Sequence, residues 1–331
     1  MSSTRGLVSI LMPVKNAAPF LEDCLSSIVH QSETDWELIA INDASSDESR
    51  TILERFATLD PRISVIDNTG KGIIDALRLA YVQSKGEFIT RMDADDRMAS
   101  NKLKVLKRDL LKHGTGHLAI GLVSYFSDGE LGDGYRYYES WLNSLSLTGS
   151  NYRDIYRECV IPSPCWMVRR TDFDRCGAFH PNTYPEDYDL CFRFYQAGLK
   201  PIPISTVLHH WRDHSTRSSR TDPNYADNRF LDLKLKWFLK IDHESERPLV
   251  IWGASSKGKS LAKGLLEANV AFQWICNNPN KIGKKVYDKL IGNVDAIGDL
   301  QRPQVIVAVA NKEEQADIRS HLREDEAFFF C

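Results

Sequence analysis

Four short apolar runs separated by helix-patterned stretches fill the first hundred residues, and this alternation leaves few folds open. The runs are Leu7 to Met12, Trp36 to Ile41, Ile63 to Ile66 and Phe88 to Thr90. Between them, Ala18 to His30 carries Phe20, Leu21, Leu25, Ile28 and Val29 close to helical spacing. Ile52, Leu53, Phe56 and Leu59 resume that period after a turn at Asp43 to Asp47, and a third helix is predicted from about Ile73 to Ser84. Strand and helix alternating in this way predict a mainly parallel α/β sheet covered on both faces, with ligands bound at the carboxyl ends of the strands. Three of those ends carry polar groups: Pro13-Val14-Lys15-Asn16, Asn42-Asp43, and Asp93 to Asp96.

The last of these is the most telling. Arg91-Met92-Asp93-Ala94-Asp95-Asp96 follows directly on the fourth run and delivers three carboxylates to one strand end. Asp93 and Asp95 would repel one another there, and a hard divalent cation such as Mg2+ or Mn2+, shared with substrate phosphates, would remove the cost. A solvated acidic turn capping a helix that begins near Ser100 is the alternative reading of this segment taken alone. Polar groups at several successive strand ends are what a binding crevice requires.

Residues 135–220 differ in texture. Tyr135, Tyr137, Tyr138, Trp141, Tyr152, Tyr156, Trp166, Tyr184, Tyr188 and Trp211 make the segment aromatic, and six prolines between Pro162 and Pro203 predict loops and short elements. Aromatic faces suit sugar rings and hydrophobic cores equally. A helix is expected over 227–241, followed by a polar linker, Asp242 to Pro248. A second unit over 248–331 then repeats strand and helix signals: strands near Leu249 to Trp252, Val270 to Ile275, Gln304 to Ala310 and Ala327 to Phe330, helices near Lys257 to Glu267 and Lys312 to Leu322. This is a small Rossmann-like pattern. Its segment Gly253-Ala-Ser-Ser-Lys-Gly-Lys-Ser260 fits a phosphate-binding loop literally. The later strand, however, leads to Asn311 where a metal-binding aspartate would be wanted, and Ser255 replaces the middle glycine of a dinucleotide fingerprint. A structural unit is the leading expectation, with a nucleotide, an anion or a protein partner as alternatives.

The 331 residues, 42% of them hydrophobic, suffice for about two domains. A net charge of −3 gives no electrostatic footprint for nucleic acid, and no apolar run is long enough to span a bilayer. Seven cysteines without a Cys-x-x-Cys pair argue against a disulfide framework and against a zinc site. With no signal-peptide pattern at the start, a cytoplasmic location is expected.

Taken together, Val8 to Asn16, Leu38 to Asp47, Lys85 to Asp96 and Pro185-Glu186-Asp187-Tyr188-Asp189-Leu190 resemble glycosyltransferase family 2, the inverting nucleotide-sugar transferases of GT-A fold. The resemblance spans roughly residues 1–220. It implies a GT-A domain over 1–241, with a nucleotide-binding half at 1–100, an acceptor half at 101–220 and the helix 227–241, and it leaves the Rossmann-like unit 248–331 without a role. It also implies a hexosyl- or N-acetylhexosaminyltransferase of polysaccharide biosynthesis. The donor would be a nucleotide-diphosphate sugar, UDP-linked by preference, with Mg2+ or Mn2+, and the acceptor a glycan, lipid-linked or other hydroxyl, reached if need be at the membrane periphery.

Residue by residue, Pro13, Val14 and Asn16 match the segment lining the base, and Asp43 matches the aspartate that bonds the uracil edge. Asp95 matches the direct metal ligand and Asp93 a ribose or metal ligand. Asp187 matches the catalytic base, with Glu186 and Trp166 on the acceptor side. His214 and Arg217 fall in the late basic segment Trp211 to Arg220 that folds over the diphosphate. Where many relatives carry Ala-Arg-Asn, this chain reads Ala76-Leu77-Arg78, so Arg91 is expected to approach the nucleotide instead. The rival reading is a binding protein that keeps the nucleotide-sugar fold without turnover, its C-terminal domain mediating binding.

Overall fold

The computed structural model describes residues 6–127, 129–215, 217 and 230–331; the expected helix start at 227–229 and the end of the late basic segment, 218–220, lie outside them. By its internal contacts the chain divides into two compact units, Met1–Arg153 with Val160–Arg217, and Asp154–Cys159 with Ser218–Cys331.

The first unit opens with β1 (Val8–Val14), α1 (Ala18–Val29), β2 (Trp36–Asn42), α2 (Ser49–Leu59), β3 (Ile63–Asp67), α3 (Gly72–Gln83) and β4 (Phe88–Arg91). The predicted alternation forms, with every end within three residues of its expected place. It continues as β5 (Arg97–Met98), α4 (Lys102–His113), β6 (His117–Phe126), α5 (Asp133–Thr148), β7 (Trp166–Arg169), α6 (Arg170–Arg175), α7 (Glu186–Gln196) and β8 (Lys200–Arg212). One eight-stranded sheet results, in the order β3-β2-β1-β4-β7-β6-β8-β5. β1 pairs in parallel with β2 and β4, and β7 enters antiparallel between β4 and β6. Val14 stands opposite Asn42 and Leu11 opposite Arg91, so the polar segments after β1, β2 and β4 leave the sheet at one edge. Apolar residues on both faces of β1, among them Val8, Ile10, Leu11 and Met12, are fully buried, as a helix-covered parallel strand requires. The turn into β4 needs a glycine: a Cβ on Gly86 would come within 2.5 Å of Ser9 Oγ.

The expectation of loops and short elements over 135–220 holds for 149–185, where no helix or strand exceeds six residues, and fails on either side. α5 runs for 16 residues and β8 for 13, with Pro201 and Pro203 inside the strand. The strand tolerates them because it is covered on only one side there: β6 pairs along it from Lys200, whereas β5 meets it only at His209 and His210. A proline on an open strand edge forfeits no ladder hydrogen bond.

The second unit contains α8 (Leu231–Ile241), β9 (Leu249–Trp252), α9 (Ser256–Glu267), β10 (Gln273–Cys276), β11 (Lys285–Val286), β12 (Lys289–Asn293), β13 (Gln304–Val307), α10 (Lys312–His321) and β14 (Ala327–Phe329). Its six-stranded sheet has the order β11-β12-β10-β9-β13-β14, parallel except for the β11–β12 hairpin. Without β11 this is the 3-2-1-4-5 order of a Rossmann sheet that lacks its sixth strand. The hairpin turns through Tyr287 and Asp288, both at positive φ (51° and 58°), the geometry of a two-residue loop that suits strand twist. The segment 154–159 is part of this core. The Tyr156 ring stacks on Phe330 at 5.1 Å and meets Phe238 edge-on at 5.7 Å, and its hydroxyl donates to Asp242. α8 also groups with this unit. Among the described residues no helix is long and apolar enough to cross a membrane.

Candidate active site

At the shared edge of β1 and β2, Asn16 and Ala44 adopt left-handed backbone (φ 49° and 52°), uncommon for residues other than glycine and concentrated where a site holds strain. Asn16 Oδ1 accepts the Ser46 N–H at 2.8 Å, which ties the two loops together. Beside them Asp43 is buried. Its Oδ1 accepts from Asn68 Nδ2 at 2.7 Å and from the Gly72 N–H at 3.0 Å, and its Oδ2 from Lys15 Nζ at 3.2 Å. Burial alone would raise its pKa, but these three donors hold the carboxyl below its ordinary range. Val14 is buried in the core and Pro13 lies half-buried beside it.

Arg91, at the end of β4, organises the next layer. Its side chain is 4% exposed, and its two amino nitrogens donate to Glu186 Oε1 at 3.0 Å and Asp93 Oδ1 at 2.7 Å. One guanidinium therefore joins the acids after β4 to the acids that open α7. Glu186 and Asp187 occupy the first turn of α7, where the helix dipole favours negative charge. Asp187 is half-buried and has no ion pair of its own among the described residues. Burial first, then the neighbouring Glu186 charge, push its carboxyl up to about 7, against the pull of Arg91.

Asp95 follows two residues after Asp93. Their side chains are 28% and 27% exposed, open enough to reach a ligand. Asp95 Oδ2 lies 2.9 Å from His214 Nε2, and the His214 ring packs on Phe20 with centroids 4.3 Å apart. Burial and the charges of Asp96 and Asp93 raise Asp95 to about 6, while Arg91 holds Asp93 low against the pull of its partial burial. Arg217 stands over the Tyr125 ring at 5.3 Å, close enough for Asp95 and Asp96 to stabilise its charge.

Among the described residues no three His, Cys, Asp or Glu side chains converge as a closed metal site. The chain offers two donors instead, Asp95 and His214, and crowded carboxylates that favour a positive charge. This fits a hard divalent cation that takes its other ligands from a diphosphate and water, and does not fit a structural metal.

Residues 9–177, just over half of the chain, match the family described as glycosyl transferase family 2. The chain belongs to this family. Over 239 residues it is 28% identical to the UDP-Glc:alpha-D-GlcNAc-diphosphoundecaprenol beta-1,3-glucosyltransferase WfgD of Escherichia coli, covering 70% of this chain and 84% of that one. Its fold is similar to S. aureus TarS 1-349, solved in complex with UDP-GlcNAc (TM-score 0.56, 17% identity, 78% of this chain and 71% of that one). It is also similar to the mannosyltransferase PcManGT from Pyrobaculum calidifontis, solved with GDP-Man and Mn2+ (TM-score 0.53, 17% identity, 82% and 76%). The chain spans only 31% to 42% of the length of three further curated relatives. The first sheet is the GT-A fold expected of a family 2 protein.

In this family 2 chain, two of the expected site residues have their side chains engaged within the protein. Arg91 has both amino groups committed to acids, Asp93 and Glu186. Trp166 is 2% exposed and packed among Phe173 and Phe194, so its ring has no face free for an acceptor sugar. Asn68, Gly72 and Phe20, which hold Asp43 and His214, escaped the sequence reading. Only the glycine at the head of α3 carried a local signal.

Proposed function

We propose that this family 2 protein transfers a sugar with inversion from a nucleotide-diphosphate donor, preferably a UDP-sugar, to a hydroxyl of a glycan or lipid-linked acceptor, with Asp187 as base. The observation that carries this reading is the Arg91 bridge. By pairing with Glu186 and Asp93, Arg91 brings the acids on the two sides of the site together, and beside it Asp187 is a half-buried carboxylate on the α7 side with a raised pKa and no salt bridge among the described residues.

A carboxylate with a pKa near 7 suits general-base work, since about half of it is ionised at neutral pH and it is still basic enough to take a proton. As the acceptor oxygen bonds to the anomeric carbon, the bond from that carbon to the phosphate oxygen breaks. The hydroxyl proton passes to Asp187 and the nucleoside diphosphate leaves. Asp43 has committed three of its roughly four acceptor positions, and the remaining one suits the imino N–H of a base such as uracil. Arg217 adds positive charge beside Asp95, and Glu186, held by Arg91, borders the acceptor side. Asp95 and His214, with Asp93 adjacent, would hold a divalent cation, which when bound supplies charge stabilisation for the departing diphosphate.

WfgD is named for a UDP-Glc donor and a diphosphoundecaprenol-linked acceptor, and TarS was solved with UDP-GlcNAc, which together favour UDP and a lipid-linked acceptor here. The P. calidifontis mannosyltransferase, solved with GDP-Man, makes GDP-sugars the necessary control. The test is consumption of UDP-, GDP- and dTDP-sugars, with and without Mn2+, by the unaltered chain and by Asp95→Ala. Metal-dependent turnover of a UDP-sugar is expected, and Asp95→Ala should weaken metal-dependent donor binding by more than about tenfold. If no nucleotide sugar were consumed under any metal condition while donors still bound, a binding protein without turnover would be the better account.

A further inference from the structure

Behind the Asp93–Asp96 turn lies a chain of buried ionisable groups that no step above uses. Asp96 is 2% exposed, and His209 and Lys102 are fully buried. Lys102 Nζ donates to the Pro164 carbonyl and lies 3.2 Å from His209 Nδ1. On the far side of the ring, His209 Nε2 lies 2.9 Å from Asp96 Oδ2, and Asp96 Oδ1 accepts the Arg212 N–H at 2.8 Å. An ammonium can only donate, so Nδ1 accepts and Nε2 carries the hydrogen that reaches Asp96. With Lys102 charged, the histidine is held as one neutral tautomer.

None of these groups can touch a substrate, and burying them is costly unless every polar atom is paired. What the network fixes is the placement of two other side chains. Asp96 ties the acidic turn to the end of β8. There Arg212 Nε donates to the Asp95 carbonyl at 2.9 Å, and Arg212 also pairs with Asp23. Two residues further on, His214 meets Asp95. The turn and the strand end carry the two candidate cation donors, and Asp96 is the buried pin between them.

We propose that Lys102, His209 and Asp96 form a positioning chain that holds the Asp95 carboxylate and the His214 imidazole at the separation needed to bind a divalent cation together with a nucleoside diphosphate. This rests on the reading of the site given under Proposed function. A buried network that serves packing alone would make the same contacts, so the test must separate the two ends of the imidazole. In His209→Asn the shorter amide can accept from Lys102 but cannot reach Asp96. In His209→Gln the longer amide can donate to Asp96 but offers Lys102 little.

The measurement is Mn2+ binding to the full chain in the presence of UDP, followed by electron paramagnetic resonance, with thermal unfolding of each variant alongside. We expect His209→Asn to weaken Mn2+ binding by about tenfold, as loss of an outer partner of a metal ligand does, with His209→Gln close to the unaltered chain and both melting at similar temperatures. Equal binding by both variants, or equal losses that track a lowered melting temperature, would overturn the positioning role while leaving the site reading intact. Failure of the unaltered chain to bind Mn2+ with either UDP or GDP would overturn the site reading, and this proposal with it.

Discussion

The two units present the same kind of sheet edge and use it in opposite ways. At the ends of β9, β10 and β13 the polar groups satisfy their own backbone and neighbours. Asn311 Oδ1 caps α10 by accepting the Glu314 N–H at 2.9 Å, Asn277 Nδ2 donates to Glu314 at 3.0 Å, and Lys281 Nζ donates to the Ala254 carbonyl at 2.9 Å. The segment that spells a phosphate-binding loop has already become helix: α9 starts at Ser256, and the Lys259 N–H is used on the Ser255 carbonyl. Gly258 is there for packing, since a Cβ would meet the Gly253 carbonyl oxygen at 2.1 Å. At the end of β4, by contrast, Asp93, Asp95 and Asp96 crowd more negative charge together than their surroundings neutralise, and the buried Arg91 holds part of it. A shared topology fixes where a site could be, and only the surplus chemistry at that edge marks one.

Substitutions at the two edges should break this contrast or sharpen it. The largest stability effect is expected for Arg91→Met, which would leave Glu186 and Asp93 without their shared partner. A loss of about 3–5 kcal/mol is expected in denaturant unfolding, as for other broken buried ion pairs, together with loss of transfer. A near-neutral result would mean that the bridge does not organise the site. In the second unit, Tyr156→Ala removes a buried ring stacked on Phe330 and should cost about 3 kcal/mol, read as a lowered unfolding transition. Lys259→Ala, on the exposed face of α9, should change stability by less than about 0.5 kcal/mol and leave transfer unaltered. A large loss of transfer there would return a phosphate-binding role to the second unit.

The parallel sheet was legible because apolar runs and helical periods are local signals, and strand ends inherit their positions from them. β8 was hidden because prolines read as breakers unless one knows that a strand edge is open. The β11–β12 hairpin was hidden because Tyr287-Asp288 is not the usual sequence of such a turn. In the site, the acids stand in short motifs and could be named in advance. Their partners could not: Arg91 and Glu186 are 95 residues apart and His209 and Asp96 are 113 apart, so no spacing in the chain announces either contact. Trp166 shows the converse limit, since an aromatic residue in an acceptor-like segment carries no mark of whether it faces a ligand or the core.

The central claim is that Asp187 takes the acceptor proton, and the most direct test measures donor affinity and transfer rate side by side for the unaltered chain and Asp187→Asn across pH. A carboxylate raised to about 7 must lose its proton before it can act, so the rate of the unaltered chain should climb with pH through that value and level off above it. The asparagine variant should keep its donor affinity and lose at least about 100-fold in rate. Transfer by Asp187→Asn at a near-normal rate, or a rate indifferent to pH on either side of that value, would contradict the assignment.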